Sequence, residues 1–338
     1  MNIIMEIQDL TVSFLTNAGE VQAVRGVSFD VKSGKTLALV GESGCGKTVT
    51  AKALIGLNEN AVNGEKRASI RYGNKELSVL NRQEWNAYRG KEIAMIFQDA
   101  LVALNPTMKI GDQIMEGMQN HFSFSKQEQY EKAIDMLHLV SIPNPEDCMK
   151  MYPHELSGGM RQRVMIASAL VMEPKVLIAD EPTTALDVTI QAQIIELLKE
   201  LQKKFNMSII LITHDLGLVA DIADEIIVMY AGKIVEKGTC EDIFFHPQHP
   251  YTWGLLHAVP SLTMDKKMEL TTIDGSVPDM INLPKGCAFC NRCRYAMRIC
   301  REQLPLEYMI SDIHKVSCWL QEDEAPKEDI PFLAGGNR

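Results

Sequence analysis

The run Gly41-Glu42-Ser43-Gly44-Cys45-Gly46-Lys47-Thr48 follows the spacing G-x-x-x-x-G-K-[ST], a pattern whose chemistry is phosphate binding. Gly41, Gly44 and Gly46 let the main chain approach a ligand closely, and Ser43 and Cys45 add backbone N–H groups to the same cradle. Lys47 is placed to neutralise β- and γ-phosphate charge, and the Thr48 hydroxyl to ligate Mg²⁺. The Cys45 side chain reads as a small residue filling a tight loop rather than as a redox sensor. A second constellation closes the apolar run Val176-Leu177-Ile178-Ala179 with Asp180, Glu181 and Pro182. Two consecutive acids at a strand end fit metal and water chemistry: Asp180 holds Mg²⁺ and Glu181 polarises an attacking water. A third, Leu156-Ser157-Gly158-Gly159-Met160-Arg161-Gln162-Arg163, reads as a helix N-terminus able to receive phosphate, with Met160, Val164, Ala167 and Val171 as the apolar stripe of that helix.

These side chains need rigid elements behind them. Thr36 to Val40, Val176 to Ala179, Ser208 to Thr213 and Ile226 to Tyr230 are short apolar runs without alternation, which predicts central strands of a parallel sheet buried on both faces. The loop 41–48 then lies between a buried strand and a helix starting near Thr48, where phosphate binding requires it. Val188 to Lys204 carries Ile190, Ile194, Leu197, Leu198 and Leu201 on one stripe, with Asp187 as N-cap. From about Ala100 the texture changes to Met, Gln and turn signals, which predicts a mainly helical insertion. Beyond Gly238 the alternation of strands and helices stops, and a Pro- and Cys-containing appendage begins near His246.

Composition excludes several classes. With 34 Lys plus Arg against 44 Asp plus Glu, the formal charge of the 338 residues is -10, opposite to the balance of a nucleic-acid binder. No stretch reaches the roughly 18 apolar residues of a membrane span, and Glu6 and Asp9 stand where a signal peptide would be basic. A soluble, cytoplasmic protein is therefore expected. Five of the eight cysteines, Cys287, Cys290, Cys293, Cys300 and Cys318, crowd the last fifth of the chain. In a reducing compartment such crowding fits a zinc or iron–sulfur site, with buried free thiols as the plainer alternative.

Taken in order, the motifs resemble the ATP-binding subunits of ATP-binding-cassette (ABC) transporters, over residues 1 to about 245. The resemblance implies a P-loop NTPase α/β fold with a parallel core sheet, an antiparallel β subdomain and a helical subdomain at about 100–165. It also implies ATP hydrolysis with Mg²⁺ held by Thr48, Gln98 and Asp180. Gln98 matches the γ-phosphate-sensing glutamine, Asp187 the D-loop residue at a dimer interface, His214 the switch histidine and Phe14 the aromatic stacked on adenine. Lys47, Gln98, Glu181 and His214 are thereby the catalytic set. Ser157, Gly158, Gly159 and Gln162 belong to the signature that closes on nucleotide held by a second subunit.

The tail narrows the resemblance. His246-Pro247-Gln248-His249-Pro250-Tyr251-Thr252, Val277-Pro278, Gly286-Cys287-Ala288-Phe289 and Arg292-Cys293 with Cys300 resemble the C-terminal extension of dipeptide and oligopeptide permease ATP-binding subunits. A small irregular domain over 246–325, followed by a flexible tail over 326–338, is expected. The resemblance implies a peptide importer with a second, related ATPase chain, two membrane permease subunits and an external substrate-binding protein. It places the chain on the cytoplasmic face of the cell membrane. Nickel, glutathione and other small-solute importers share the same architecture. A soluble ABC ATPase of DNA repair or translation fits less well, because no second cassette, coiled coil or basic face is present. Resemblance to cluster-bearing members implies a [4Fe–4S] cluster on Cys287, Cys293, Cys300 and Cys318. Cys290 departs from that pattern and opens a Cys287, Cys290, Cys293 triplet, or Zn²⁺, as alternatives.

Overall fold

Apolar runs without polar interruption become strands covered on both faces: Thr36–Val40, Val176–Asp180, Ser208–Thr213 and Glu225–Tyr230 are buried at every position. In this computed structural model, residues 2–58, 61–62, 68–184, 186–258, 273–327 and 330–333 are described. Parts of the tail from Ala325 onward, 328–329 and 334–338, thus lie outside the described residues. The chain divides into two compact units, one of Met1–Ile4, Val31–Thr36 and Val79–Ile212, the other of Met5–Asp30, Leu37–Ser78 and Thr213–Arg338.

In the first unit, Ile93–Ile96 pairs in parallel with Val176–Asp180, which pairs in parallel with Ser208–Thr213. The segment after Ile96 is helical, as its composition predicts: Ile110–Gln119, Lys126–Leu139 and Gly158–Leu170 pack on one another. Ile110, Ile114, Met118, Ala133, Leu137, Val164, Ala167 and Leu170 are buried there, at the three- and four-residue spacing of a helix face. Ser125 and Glu128 close a reciprocal capping box at the start of the second of these helices, which fixes where it begins. Helix Val188–Phe205 is capped by the Asp187 carboxylate, which accepts from the Ile190 N–H at 2.9 Å.

In the second unit, Thr36–Val40 pairs in parallel with Glu225–Tyr230, and the latter pairs antiparallel with Lys233–Thr239. The tail adds two short strands. Lys315–Val316 pairs antiparallel with Lys233–Thr239, through Val316 opposite Glu236, and Tyr308–Met309 pairs with Lys315–Val316. A separate five-stranded sheet contains Ile3–Thr16 and Gly19–Lys32, with Ala61–Val62 and Ser69–Tyr72 antiparallel to the first of these strands. Residues 213–338 thus share one compact unit with 5–30 and 37–78.

Candidate functional site

The structure sorts the expected site residues into two sets. In the second unit the buried strand Thr36–Val40 ends at the loop 41–48, and helix Lys47–Ala53 starts inside it. Two glycines are required by space as well as by backbone angle. At Gly41, with φ +148°, an added Cβ would lie 2.3 Å from the Met229 carbonyl oxygen and 2.9 Å from Cys45 Sγ. At Gly46, with φ +100°, it would lie 2.3 Å from the Ala23 carbonyl oxygen. The loop is therefore pressed against its supporting strands, which only a residue without a side chain permits.

Lys47 is folded onto the loop it serves. Its Nζ donates to the Gly41 carbonyl at 2.8 Å and to the Glu42 carbonyl at 3.0 Å, with Cys45 Sγ at 3.8 Å. The ammonium is buried among these acceptors. Burial pushes the Cys45 thiol pKa up, against the downward pull of Lys47, so Cys45 is a packed thiol here. Phe14 lies half-buried on strand Ile3–Thr16 with its backbone opposite Ala61. His214 follows strand Ser208–Thr213 and is exposed.

The second set lies in the first unit. Glu181 follows the buried Asp180 with φ +45°, a left-handed turn that is uncommon for a glutamate. Its carboxylate accepts from Thr184 Oγ1 at 2.8 Å and from Gln98 Nε2 at 3.0 Å, and its N–H donates to the Ile212 carbonyl at 2.8 Å. Ser157 caps helix Gly158–Leu170 by accepting from the Met160 N–H at 3.3 Å. Gly158 and Gly159 pack beside Leu186 and Ile190, at the start of the Asp187-capped helix. Gln162 is turned inward: it is buried and its amide donates to the Pro182 carbonyl, at 2.5 Å, which ties the signature helix to the turn after Glu181.

The tail contributes contacts to which the sequence reading assigns no role. Arg292 grips the Glu42 carboxylate with its two terminal guanidinium nitrogens, at 2.5 and 2.9 Å, and the Glu42 N–H donates to the Tyr251 hydroxyl at 2.8 Å. The signal in the sequence is faint: a glutamate at a variable position of the loop, and an arginine between two cysteines. Tyr251 is itself held by its N–H, which donates to Nδ1 of the buried His249 at 3.0 Å. Burial depresses the His249 pKa to about 3.

All eight cysteines are free thiols. Cys290 and Cys300 pack with Trp319, and Cys287 lies against them. Burial first, and neighbouring thiols second, push Cys287 up to about 11 and Cys293 up to about 12, and raise Cys318 further. Cys318 has Cys287, Cys293 and Cys300 within electrostatic reach. The donors are soft and mutually close, as a metal or cluster requires in kind. Among the described residues, however, no group of three or more His, Cys, Asp or Glu side chains is arranged to hold a metal ion. The same residues contain no helix long and apolar enough to cross a membrane.

Among solved structures, CbiO1 from Clostridium perfringens, part of an ABC transporter complex, superimposes with a TM-score of 0.61 at 29% identity over 72% of this chain and 91% of its own. The dimeric ATP-binding cassette MJ0796 bound to ADP and Pi shares the fold, with a TM-score of 0.63 at 24% identity over 70% of this chain and 98% of its own. Fold and loop together define an ATPase of the ATP-binding-cassette class. The family model "ABC transporter" matches residues 24–184, and "Oligopeptide/dipeptide transporter, C-terminal region" matches residues 235–300. The oligopeptide transport ATP-binding protein OppD of Bacillus subtilis is 54% identical over 97% of this chain and 92% of its own. The dipeptide transport ATP-binding protein DppD of the same organism is 52% identical over 96% and 97%, and OppD of Salmonella typhimurium 51% over 90% of each. The chain belongs to the ABC transporter family, in its branch of oligopeptide and dipeptide transport ATP-binding proteins.

Proposed function

We propose that this chain is the ATP-hydrolysing motor subunit of a peptide importer. The observation that carries the reading is the pre-formed phosphate loop, with Lys47 held by the Gly41 and Glu42 carbonyls, in a chain whose tail matches the oligopeptide and dipeptide transporter region. In this reading the backbone of 41–48 and Lys47 bind the phosphates, and Phe14 meets the adenine. Thr48, Gln98 and Asp180 are the residues that would hold Mg²⁺, which would offset phosphate charge when bound. Glu181 takes the proton of the attacking water and His214 steadies the γ-phosphate, so that charge developing in flight meets groups already in place. Ser157, Gly158, Gly159 and Asp187 face the nucleotide and interface of a companion cassette, with Gln162 bracing their helix from behind.

Partners follow from the same reading. The companion is a second, related ATP-binding chain, the translocation path is supplied by two permease subunits, and an external binding protein selects the substrate. The chain then works at the cytoplasmic face of the membrane without entering it. Two bound nucleotides close the motor pair and hydrolysis reopens it, so each ligand acts through its differential affinity for the closed state. The 246–325 segment is read as a domain particular to this branch, and 326–338 as its tail.

Reconstitution with its permease subunits in proteoliposomes, with binding protein and labelled di- and oligopeptides outside, tests the assignment. ATP-dependent peptide accumulation is expected. Uptake of Ni²⁺ or glutathione in place of peptides moves the chain to the neighbouring transport class, and no ATP turnover overturns the motor role itself.

A second reading concerns the thiols. The resemblance to cluster-bearing members favours a [4Fe–4S] cluster on Cys287, Cys293, Cys300 and Cys318; Cys290, which packs with Cys300 and Cys287, is the alternative ligand. A bound cluster would supply structural cross-linking of the tail, and the four thiols would have to give up their protons on loading. Iron and sulfide analysis of anaerobically purified protein, with visible absorbance, tests it; zinc in their place assigns the site to Zn²⁺.

A further inference from the structure

Glu42 has three polar groups, and each is committed. Its carbonyl accepts from Lys47 Nζ at 3.0 Å, its N–H donates to the Tyr251 hydroxyl at 2.8 Å, and its carboxylate is forked by Arg292 at 2.5 and 2.9 Å. The second residue of the phosphate loop is therefore the junction between the phosphate-binding lysine and two side chains contributed by the tail.

The Arg292 end of this junction is built for one residue type. All five guanidinium N–H groups have acceptors: Nε donates to the Asp274 carbonyl at 2.9 Å, Nη2 also to the Ile273 carbonyl at 3.2 Å, and Nη1 also to the Tyr230 hydroxyl at 3.3 Å. The guanidinium also lies over the rings of Tyr230 and Phe289, 5.8 and 5.9 Å from their centroids. Its side chain is only 5% exposed. A lysine has three donors and no plane, so it can reproduce neither the fork nor the stacking.

Tyr251 is fixed with equal completeness. It is fully buried, its ring stands edge-on to Tyr230 at 4.7 Å, and its backbone is clamped to His249. Its hydroxyl therefore presents a stationary acceptor to the Glu42 N–H. The entry to the phosphate loop is held from its side-chain and main-chain ends before any ligand arrives.

We propose that Arg292 and Tyr251 are positioning residues for nucleotide binding: they pre-order the phosphate loop through Glu42, so that the tail sets the affinity of the ATP site. This rests on the reading of 41–48 as that site. A loop ordered in advance loses less freedom when phosphate binds, so its contribution is to affinity for any nucleotide that reaches the β-phosphate rather than to the chemical step.

The test uses the full chain and the variants Tyr251→Phe, Arg292→Lys and Arg292→Ala, with Kd for Mg-ATP and Mg-ADP, kcat, KM and Tm measured on each. Tyr251→Phe removes one hydroxyl from a ring whose packing is retained, and roughly a 5-fold rise in Kd for ATP and ADP alike is expected, with kcat within about 2-fold. Arg292→Lys is expected to raise both Kd values roughly 10- to 30-fold, and Arg292→Ala by more. A merely structural role would lower Tm and leave the affinity of the folded fraction unchanged. Wild-type Kd in folded Tyr251→Phe and Arg292→Lys protein overturns the proposal. A wild-type chain that binds no nucleotide would instead overturn the assignment of the site, a separately recognisable result.

Discussion

Gln98 Nε2 donates to Glu181 Oε2 at 3.0 Å, joining residues 83 positions apart in the chain. Thr184 Oγ1 donates to the same oxygen at 2.8 Å. One oxygen of the Glu181 carboxylate, Oε2, is thus held by two side-chain donors, one from the same turn and one from a distant strand end. The left-handed backbone at Glu181 comes directly after the buried strand, and the Thr184 N–H donates to the Glu181 carbonyl at 3.1 Å, so the Thr184 half of this arrangement is local.

Glu181→Gln keeps the size of the side chain and removes its basicity. A fall in kcat of roughly 10²- to 10³-fold is expected, with ATP binding and Tm nearly unchanged. Single-turnover hydrolysis beside equilibrium nucleotide binding checks it; undiminished turnover would place the base elsewhere.

Lys47→Ala removes the cation held over the loop. Charge-assisted bonds to phosphate are worth about 1.5 to 3 kcal/mol each, so a rise in Kd for ATP of roughly 10- to 100-fold is expected, together with loss of turnover. Titration with a fluorescent ATP analogue measures it.

Gly41→Ala places a methyl 2.3 Å from the Met229 carbonyl oxygen, at a φ of +148°. Neither atom can yield without moving a strand, so a loss of about 2 to 4 kcal/mol in stability is expected. Gly44→Ala is the control in space, because nothing lies within 4 Å of the added carbon and only its φ of +79° opposes the change. Urea midpoints of the two variants should differ in that order.

His249 titrates with a defined sign. Its native pKa, about 3, lies below the ordinary 6.5, because burial disfavours the cation and Nδ1 is already accepting from the Tyr251 N–H. The contribution to stability is therefore complete above about pH 6.5 and is lost progressively as pH falls toward 3, where the unfolded chain binds a proton that the native one refuses. Between pH 6.5 and 5 this amounts to about 2 kcal/mol. Replacement of His249 by Asn, which can accept the same capping bond, should flatten the stability profile by one proton in that window.

Glu236 is fully buried and accepts from the Gln248 N–H at 2.6 Å, the His249 N–H at 3.0 Å and His314 Nε2 at 2.8 Å. It fastens the tail at two places 66 residues apart, Gln248 and His314. Glu236→Ala leaves those donors without an acceptor, and a loss of about 3 to 5 kcal/mol is expected. Proteolysis within the tail should accelerate in parallel.

The phosphate loop, the Asp180-Glu181 strand end and the Ser157 cap were legible in the sequence because each depends on neighbours a few residues away. Glycine spacing, an unbroken apolar run and a capping serine are local physics, and the element boundaries fell within a residue or two of those expected. The helical character of 100–165 was legible for the same reason: its burial repeats with the helix period. What the tail does to the loop was not legible. Arg292 and Glu42 are 250 positions apart, and neither residue type nor spacing distinguishes that arginine from a solvated one.

Gln162 shows the same limit from the other direction. Its place in the signature run points to a ligand, while the packing of its helix turns it toward Pro182. The order and identity of the chemical groups were thus written in short stretches of chain, where backbone angle, capping and hydrophobic period decide. Which of those groups became one another's partners was decided by the fold, because burial removes water as the competing partner and makes each long-range bond depend on where distant strands bring their ends.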